Sequence, residues 1–439
     1  MTRALVLVDG EHYPPVTMDA LESLRARGFE IVAAVNLGGG EKLRAPLDLG
    51  SVPVVGGPSQ RESLADALDS YRPEVVLDVS DAPVVDTRGR FVLASISLAR
   101  GVPYVGADFR FDPPPRPPLT ARPVVAVIGT GKRTGKTAMS AALARHAVAR
   151  GLRPVIVAMG RGGPAEPIVT RGDLARPSVF DLIVLAERGE HAASDTYEDA
   201  VVAGVATVGA RRAGAGLAGG TVYDTVARAV EIADAMSPDV IILEGSGTAI
   251  PPARAGATLL VAGPAPPGDL TVGLGPFRLL IADLVVVTMA EEPLHSSETL
   301  SALTSSVSEF AAGVSVVRTV FRPAPVGSVR GKRILFATTA PEHAGPVLIR
   351  HLEQVHGAEV VGTTHRLADR SRLSEDLRRA EGTYEVLLTE LKAAAVDVAA
   401  RAAVASGAEV VFADNIPVAV DGDLAAAFDA VLARAGVRG

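Results

Sequence analysis

Two of the five lysines in this chain, Lys132 and Lys136, stand in one glycine-rich stretch, Gly129-Thr-Gly-Lys-Arg-Thr-Gly-Lys-Thr137, directly after the apolar run Val124 to Ile128. A strand that breaks into such a loop and then into a helical pattern presents backbone N–H groups and a helix N-terminus to phosphates. Lys136 is placed to reach the β- and γ-phosphates of a nucleoside triphosphate, and the Thr137 hydroxyl to ligate Mg²⁺. The expected nucleotide-binding residues are Gly129, Thr130, Gly131, Arg133, Thr134, Gly135, Lys136 and Thr137. Elsewhere the chain uses arginine for nearly all of its 43 basic residues, and a planar guanidinium does not freely replace a compact ammonium in a phosphate cradle. The first glycine falls one residue earlier than in G-x-x-x-x-G-K-[ST], a stretched form with an extra basic residue that narrows the reading to one branch of P-loop proteins.

Further along, Val240 to Leu243 is a buried-strand pattern ending in Glu244-Gly-Ser-Gly247. An acid at the end of an apolar strand downstream of a P-loop is expected on the Mg²⁺ side, directly or through water. Other chemistry-bearing residues gather in loops. Met159-Gly-Arg-Gly-Gly-Pro-Ala-Glu-Pro167 carries Arg161 and Glu166, Arg188-Gly-Glu-His191 carries His191, and Asp195-Thr-Tyr-Glu-Asp199 follows. Gly209 to Gly220 holds Arg211 and Arg212 among glycines. Glycine permits close backbone approach and arginine forks grip phosphate, so this stretch reads as an anion-holding loop, with Arg161 and His191 beside it. Near the end, Thr389-Glu-Leu-Lys392 reads as the start of a helix with Thr389 as N-cap. A lysine there opposes the helix dipole, which is understood if Lys392 faces an anion. His365, Arg366 and Arg370 form another basic group.

These residues must be held by an α/β scaffold. Apolar runs alternate with helical patterns in three blocks, implying three doubly wound parallel-sheet units, the central one a P-loop NTPase domain. The expected division is residues 1–111 as a Rossmann-like N-terminal domain, 112–119 as a proline-rich linker, 120–328 as the P-loop catalytic domain and 329–439 as a C-terminal α/β domain. Asp112-Pro-Pro-Pro-Arg-Pro-Pro118 cannot continue a helix or a central strand. In the first block, Asp9-Gly-Glu-His12 and Asp78-Val-Ser-Asp81 stand at strand ends, where ligands bind in such sheets. A net charge of −7 argues against nucleic acid as a partner. The chain has no cysteine, which removes disulfides and thiolate chemistry. The apolar region Leu270 to Ala290 is interrupted by Arg278 and Asp283, arguing against a membrane span, and a cytoplasmic location is expected.

Several of these motifs coincide. The P-loop, Met159 to Pro164, Gly209 to Gly220, Glu244-Gly-Ser-Gly247 and Thr389 to Asp397 together resemble the cyclic 2,3-diphosphoglycerate synthetase family, whose central domain is similar to dethiobiotin synthetase. The resemblance implies an ATP-dependent ligase that closes 2,3-diphosphoglycerate to its cyclic form, releasing ADP and phosphate. It implies ATP and Mg²⁺ as cofactors, Lys132, Lys136, Arg161, Arg211 and Arg212 as catalytic cations, Thr137 and Glu244 at the metal, and His191, Glu166 and Lys392 toward the substrate. A homodimer is the expected assembly. Relatives with a deviant P-loop place a signature lysine five residues before the Gly-Lys lysine; here that position is Gly131, and Lys132 follows it. Two other readings stand beside this one. One is a different ATP-dependent small-anion ligase or kinase, for example making 2,3-diphosphoglycerate from a monophosphate; the other is a nucleotide-switch protein. The segment Val285 to Pro293 lacks the Asn-Lys-x-Asp pattern that favours guanine.

Overall fold

The computed structural model describes residues 1–39, 47–263, 270–292 and 294–438; Lys42 and Pro293 lie outside them. The first block is a six-stranded sheet in the order Val54–Val55, Phe29–Asn36, Thr2–Val8, Val75–Asp78, Tyr104–Val105, Arg110–Phe111. All pairings are parallel except the last. At its carboxyl edge the Asp9 carboxylate accepts from the backbone N–H of Glu11, His12 and Asp81 and from the His12 ring. Asp78 accepts from Ser80 and the Tyr104 hydroxyl. Both acids of the sequence-predicted strand ends therefore tie loops together. The unit is joined to the second through a shared apolar core in which Leu93 and Ile96 meet Leu274, Phe277 and Leu303.

The second and third blocks share one sheet. Its parallel centre runs Ala206–Ala213, Pro154–Gly160, Val240–Glu244, Val124–Gly129, Ala257–Ala262, Leu284–Val287, with Ser315–Pro325 beyond. The central strands are apolar throughout and covered on both faces, as parallel sheets require. Ser315–Pro325 then pairs antiparallel with Glu409–Asp421, and through it with Val386–Glu390, Arg333–Ala337 and Glu359–Thr364.

This antiparallel ribbon sets the geometry of the molecule. The central sheet attaches at residues 315–318 and the last strands at 409–413, which pair with the far end of the ribbon near Pro325. From Arg318 to Pro325 the ribbon advances roughly 24 Å, at about 3.4 Å per residue. It therefore carries the third unit above the carboxyl edge of the central sheet with its own strands reversed. The carboxyl ends of both strand sets face each other. The chain then returns, and the helix Leu424–Arg434 packs Phe428, Val431 and Leu432 into the central core with Val125 and Leu259. The expected C-terminal unit, 329–439, is thus not self-contained: its long strand and last helix complete the central domain.

Candidate active site

Between the facing carboxyl edges lies a cleft of about 790 Å³. One wall is the P-loop. Gly135, at φ +95°, caps the helix Lys136–Ala149, and a Cβ there would lie 2.2 Å from the Phe321 ring of the ribbon. Gly129 is likewise filled, since a Cβ would stand 2.9 Å from Lys136 Cδ and from Thr134 Oγ1. The loop is pinned by Thr288, whose hydroxyl donates to the Thr134 carbonyl at 2.8 Å. Lys132 and Arg133 are exposed and line the cleft. Lys136 is buried and donates to the Gly131 carbonyl at 2.6 Å. Burial pushes its ammonium down to about 8, partly offset by Glu244 and Asp195.

Thr137 Oγ1 donates to Glu244 Oε1 at 2.7 Å, so the two expected metal-side groups are adjacent. Glu244 is 1% exposed, and its Oε2 is reached by no amide, hydroxyl or cation among the described residues. Burial, with Asp195 nearby, pushes its carboxyl up to about 7. Asp199 is fully buried with its carboxyl against that of Glu244, reached by no amide, hydroxyl or cation among the described residues, and burial plus Glu244 raises it well above the carboxylate range. A buried pair of carboxyls under a P-loop fits a divalent cation, which would take the place of the proton they share. Among the described residues no three His, Cys, Asp or Glu side chains form a metal set, so such a cation would complete its shell with phosphate and water oxygens, as Mg²⁺ commonly does.

The helix Asp195–Val202 passes under this wall. Asp195, Glu198 and Asp199 share one of its faces by their i, i+3, i+4 spacing. The sequence marks that stretch without giving it a role; acids at that spacing among Thr196, Tyr197, Ala200 and Val201 are the signal it offers. Glu198 is held by Lys392 of the opposite wall at 3.1 Å, across the floor of the cleft. Burial pushes Glu198 up to about 8 despite that partner. Lys392 itself is held above its ordinary range: burial would lower it, but Glu198 and Glu390 outweigh that. Burial would also raise Glu390, yet Lys392 and bonds from Thr338 Oγ1 (2.6 Å) and Thr339 N and Oγ1 (3.0 and 2.6 Å) keep it low, and Asn415 Nδ2 donates at 3.2 Å.

The other expected residues divide. Arg161, Gly162 and His191 line the cleft, with the His191 ring 3.1 Å from where a Cβ of Gly162 would stand. Arg211 does not line it: its Nε donates to the Gly163 carbonyl at 2.8 Å and its side chain faces solvent. Glu166 is exposed outside the cleft. Arg212 is buried one layer behind the surface, against Ser246. The reason is that Gly209 to Ala213 belongs to the strand Ala206–Ala213 and not to a loop, so neighbouring arginines point to opposite faces. Similarly, Thr389 and Glu390 end a strand, and helical backbone resumes only at Ala395, so Lys392 stands in a strand-to-helix turn and not on a helix. His365 and Arg366 line the far wall, with His365 Nδ1 donating to the Ala340 carbonyl at 2.8 Å; Arg370 is instead paired with Asp397.

Three stretches match domains of cyclic 2,3-diphosphoglycerate synthetase: the N-terminal domain over residues 3–112, the P-loop domain over 124–320 and the C-terminal domain over 325–416. The cyclic 2,3-diphosphoglycerate synthetase of Methanothermus fervidus is 42% identical over 442 residues, covering 98% of this chain and 96% of that protein. The chain belongs to the cyclic 2,3-diphosphoglycerate synthetase family. The synthetase of Rubrobacter xylanophilus is 44% identical over 441 residues, covering 100% of this chain and 98% of its own. Among solved structures, LpxK from Aquifex aeolicus in complex with ATP covers 73% of this chain and 90% of its own at 15% identity, with a TM-score of 0.43. As a member of this synthetase family with a P-loop domain, the protein is an ATP-binding, ATP-dependent ligase. Among the described residues no helix is long and apolar enough to cross a membrane.

Proposed function

We propose that the enzyme closes 2,3-diphosphoglycerate to its cyclic form at the expense of ATP, releasing ADP and phosphate. The observation that carries this reading is the facing of two strand sets across one cleft, with Lys132, Arg133, Lys136 and Arg161 on one wall and His365, Arg366 and Lys392 on the other. The substrate carries two phosphate monoesters of roughly −1.5 to −2 each and a carboxylate. Such an anion approaches a triphosphate only where cations surround both. Lys136 and the loop amides orient the triphosphate, and Lys132 neutralises charge on the γ-phosphoryl group. Thr137 and Glu244 would hold Mg²⁺, which would supply neutralisation of the triphosphate's charge.

An oxygen of one substrate phosphate attacks the γ-phosphorus, the β–γ bridging P–O bond breaks, and ADP leaves with the electron pair. The second substrate phosphate then attacks the phosphorus of the first. The bond to the transferred phosphoryl group breaks, inorganic phosphate leaves and the ring is closed. No side-chain nucleophile takes part: the residues position the anions and hold their charge. Lys392, His191 and the far-wall cations keep the second phosphate near the first. A cytoplasmic homodimer belongs to the same reading. The test is ADP release against added substrate: it rises and saturates with 2,3-diphosphoglycerate. Equal release without it sinks the reading, and release driven by a monophosphate alone replaces it with the kinase.

A further inference from the structure

We infer that Arg161, Arg212 and Ser246 form an anion subsite beside the triphosphate, and that it takes the attacking phosphoryl group of the substrate. The inference rests on the reading above for the identity of that group. Arg212 is 5% exposed. Its Nη1 donates to the Gly214 carbonyl at 2.9 Å, its Nη2 donates to Ser246 O at 2.6 Å and Ser246 Oγ at 3.1 Å, and its Nε has no acceptor among the described residues. No ion pair joins Arg212 or Arg161 to a carboxylate among the described residues; Asp195 acts on Arg212 only through space.

The two guanidinium groups nevertheless converge. Gly247, at φ +61°, has Arg161 Nη2 at 2.6 Å and Arg212 Nη2 at 3.3 Å from where its Cβ would stand. Two cations this close, one of them buried, repel each other, and burial followed by Arg161 lowers the proton affinity of Arg212. An anion over Gly247 removes that repulsion. Ser246 Oγ already accepts from Arg212, so its own proton is free for the anion. Arg161, Ser246 and Gly247 line the same cleft as Lys136 and Thr137, which places the subsite beside the proposed triphosphate site.

A carboxylate would be satisfied by the Arg161 fork alone. A phosphoryl group, with about twice the charge and three oxygens, uses Arg161, the Ser246 hydroxyl and the field of Arg212 together. Arg161 touches the anion. Arg212 is a positioning residue that holds Ser246 and sets the local potential.

The test fills the triphosphate site with Mg²⁺ and a non-hydrolysable ATP analogue, then titrates inorganic phosphate and, separately, acetate by calorimetry. Phosphate binds the unmodified enzyme at least about tenfold more tightly than acetate, and Arg161→Ala loses about tenfold or more of that affinity while the ATP analogue binds within about twofold of normal. In turnover, Arg161→Ala and Arg212→Lys raise KM for diphosphoglycerate and leave KM for ATP in place; Arg161→Lys restores part of the loss. Phosphate affinity unchanged in Arg161→Ala overturns the subsite, and acetate binding as well as phosphate overturns its assignment to a phosphoryl group. If phosphate binding depends on Arg161 but diphosphoglycerate never stimulates ADP release, the subsite stands and the proposed reaction falls.

Discussion

At the scale of single residues, the site combines cationic side chains lining the cleft with acids whose proton affinity is raised by burial. Replacing Lys136 by alanine removes the ammonium proposed to orient the triphosphate and is expected to lower kcat/KM by about 10²–10³-fold, the range seen when one preorganised charge-stabilising donor is lost. Lys132→Ala should lower kcat at least about tenfold, or about 1.4 kcal/mol in the barrier, with little change in the melting temperature because the side chain is exposed. Unchanged turnover would remove Lys132 from the chemistry. The buried acids give a pH dependence of stability. Glu244 and Glu198 stand at about 7 and about 8 in the folded protein against an ordinary 4.5. Between those values the folded state binds more protons than the unfolded state, so its stability falls as pH rises from about 4.5 toward 8. Thermal melts of the nucleotide-free enzyme across that window should show the decline, and Glu198→Gln should flatten part of it. No decline over that window would show that burial does not raise these acids.

At the scale of elements, the P-loop owes its shape to what packs on it. Gly135→Ala adds a Cβ at 2.2 Å from the Phe321 ring in a backbone at φ +95°. Strain of about 1–3 kcal/mol is expected, read as a lower melting temperature together with weaker ATP binding; normal binding would mean that the ribbon does not brace the loop. The strand, loop and helix here were legible because each signal is local: the apolar run, the glycines, the terminal Gly-Lys-Thr. Glu244 was legible for the same reason. The stretch carrying Arg211 and Arg212 reads as a loop because of its glycines and paired arginines, whereas it is a strand whose alternation sends one arginine to the surface and the other behind Ser246. The ribbon was illegible. Ser315–Pro325 contains Pro323 and Pro325, which argue against a sheet interior. They are tolerated because beyond Arg318 the ribbon loses its neighbour on the central-sheet side, so alternate backbone groups face outward.

At the scale of the whole molecule, the reversal imposed by the ribbon turns two ordinary α/β edges into one two-walled cleft. Its partner strand lies nearly a hundred residues away in sequence, and no local pattern announces such a pairing. The return of the last helix is equally non-local. Phe428→Ala, at 3% exposure in the central core, is expected to cost about 3–5 kcal/mol. In denaturant titrations it should unfold the nucleotide-binding domain with the C-terminal unit in one transition. Two transitions, with ATP binding preserved through the first, would show that the two units fold separately. Across the cleft, the Lys392–Glu198 pair joins the walls at 3.1 Å, and the proposed reaction holds its substrate between groups that come from both. That arrangement suits the proposed reaction, in which two phosphates of one molecule meet a third. The most direct test is ³¹P NMR of the purified protein with Mg-ATP and 2,3-diphosphoglycerate. The account predicts a new cyclic pyrophosphate signal that grows in step with one ADP and one inorganic phosphate per ring closed; ATP turnover indifferent to 2,3-diphosphoglycerate, with no such signal, would contradict it.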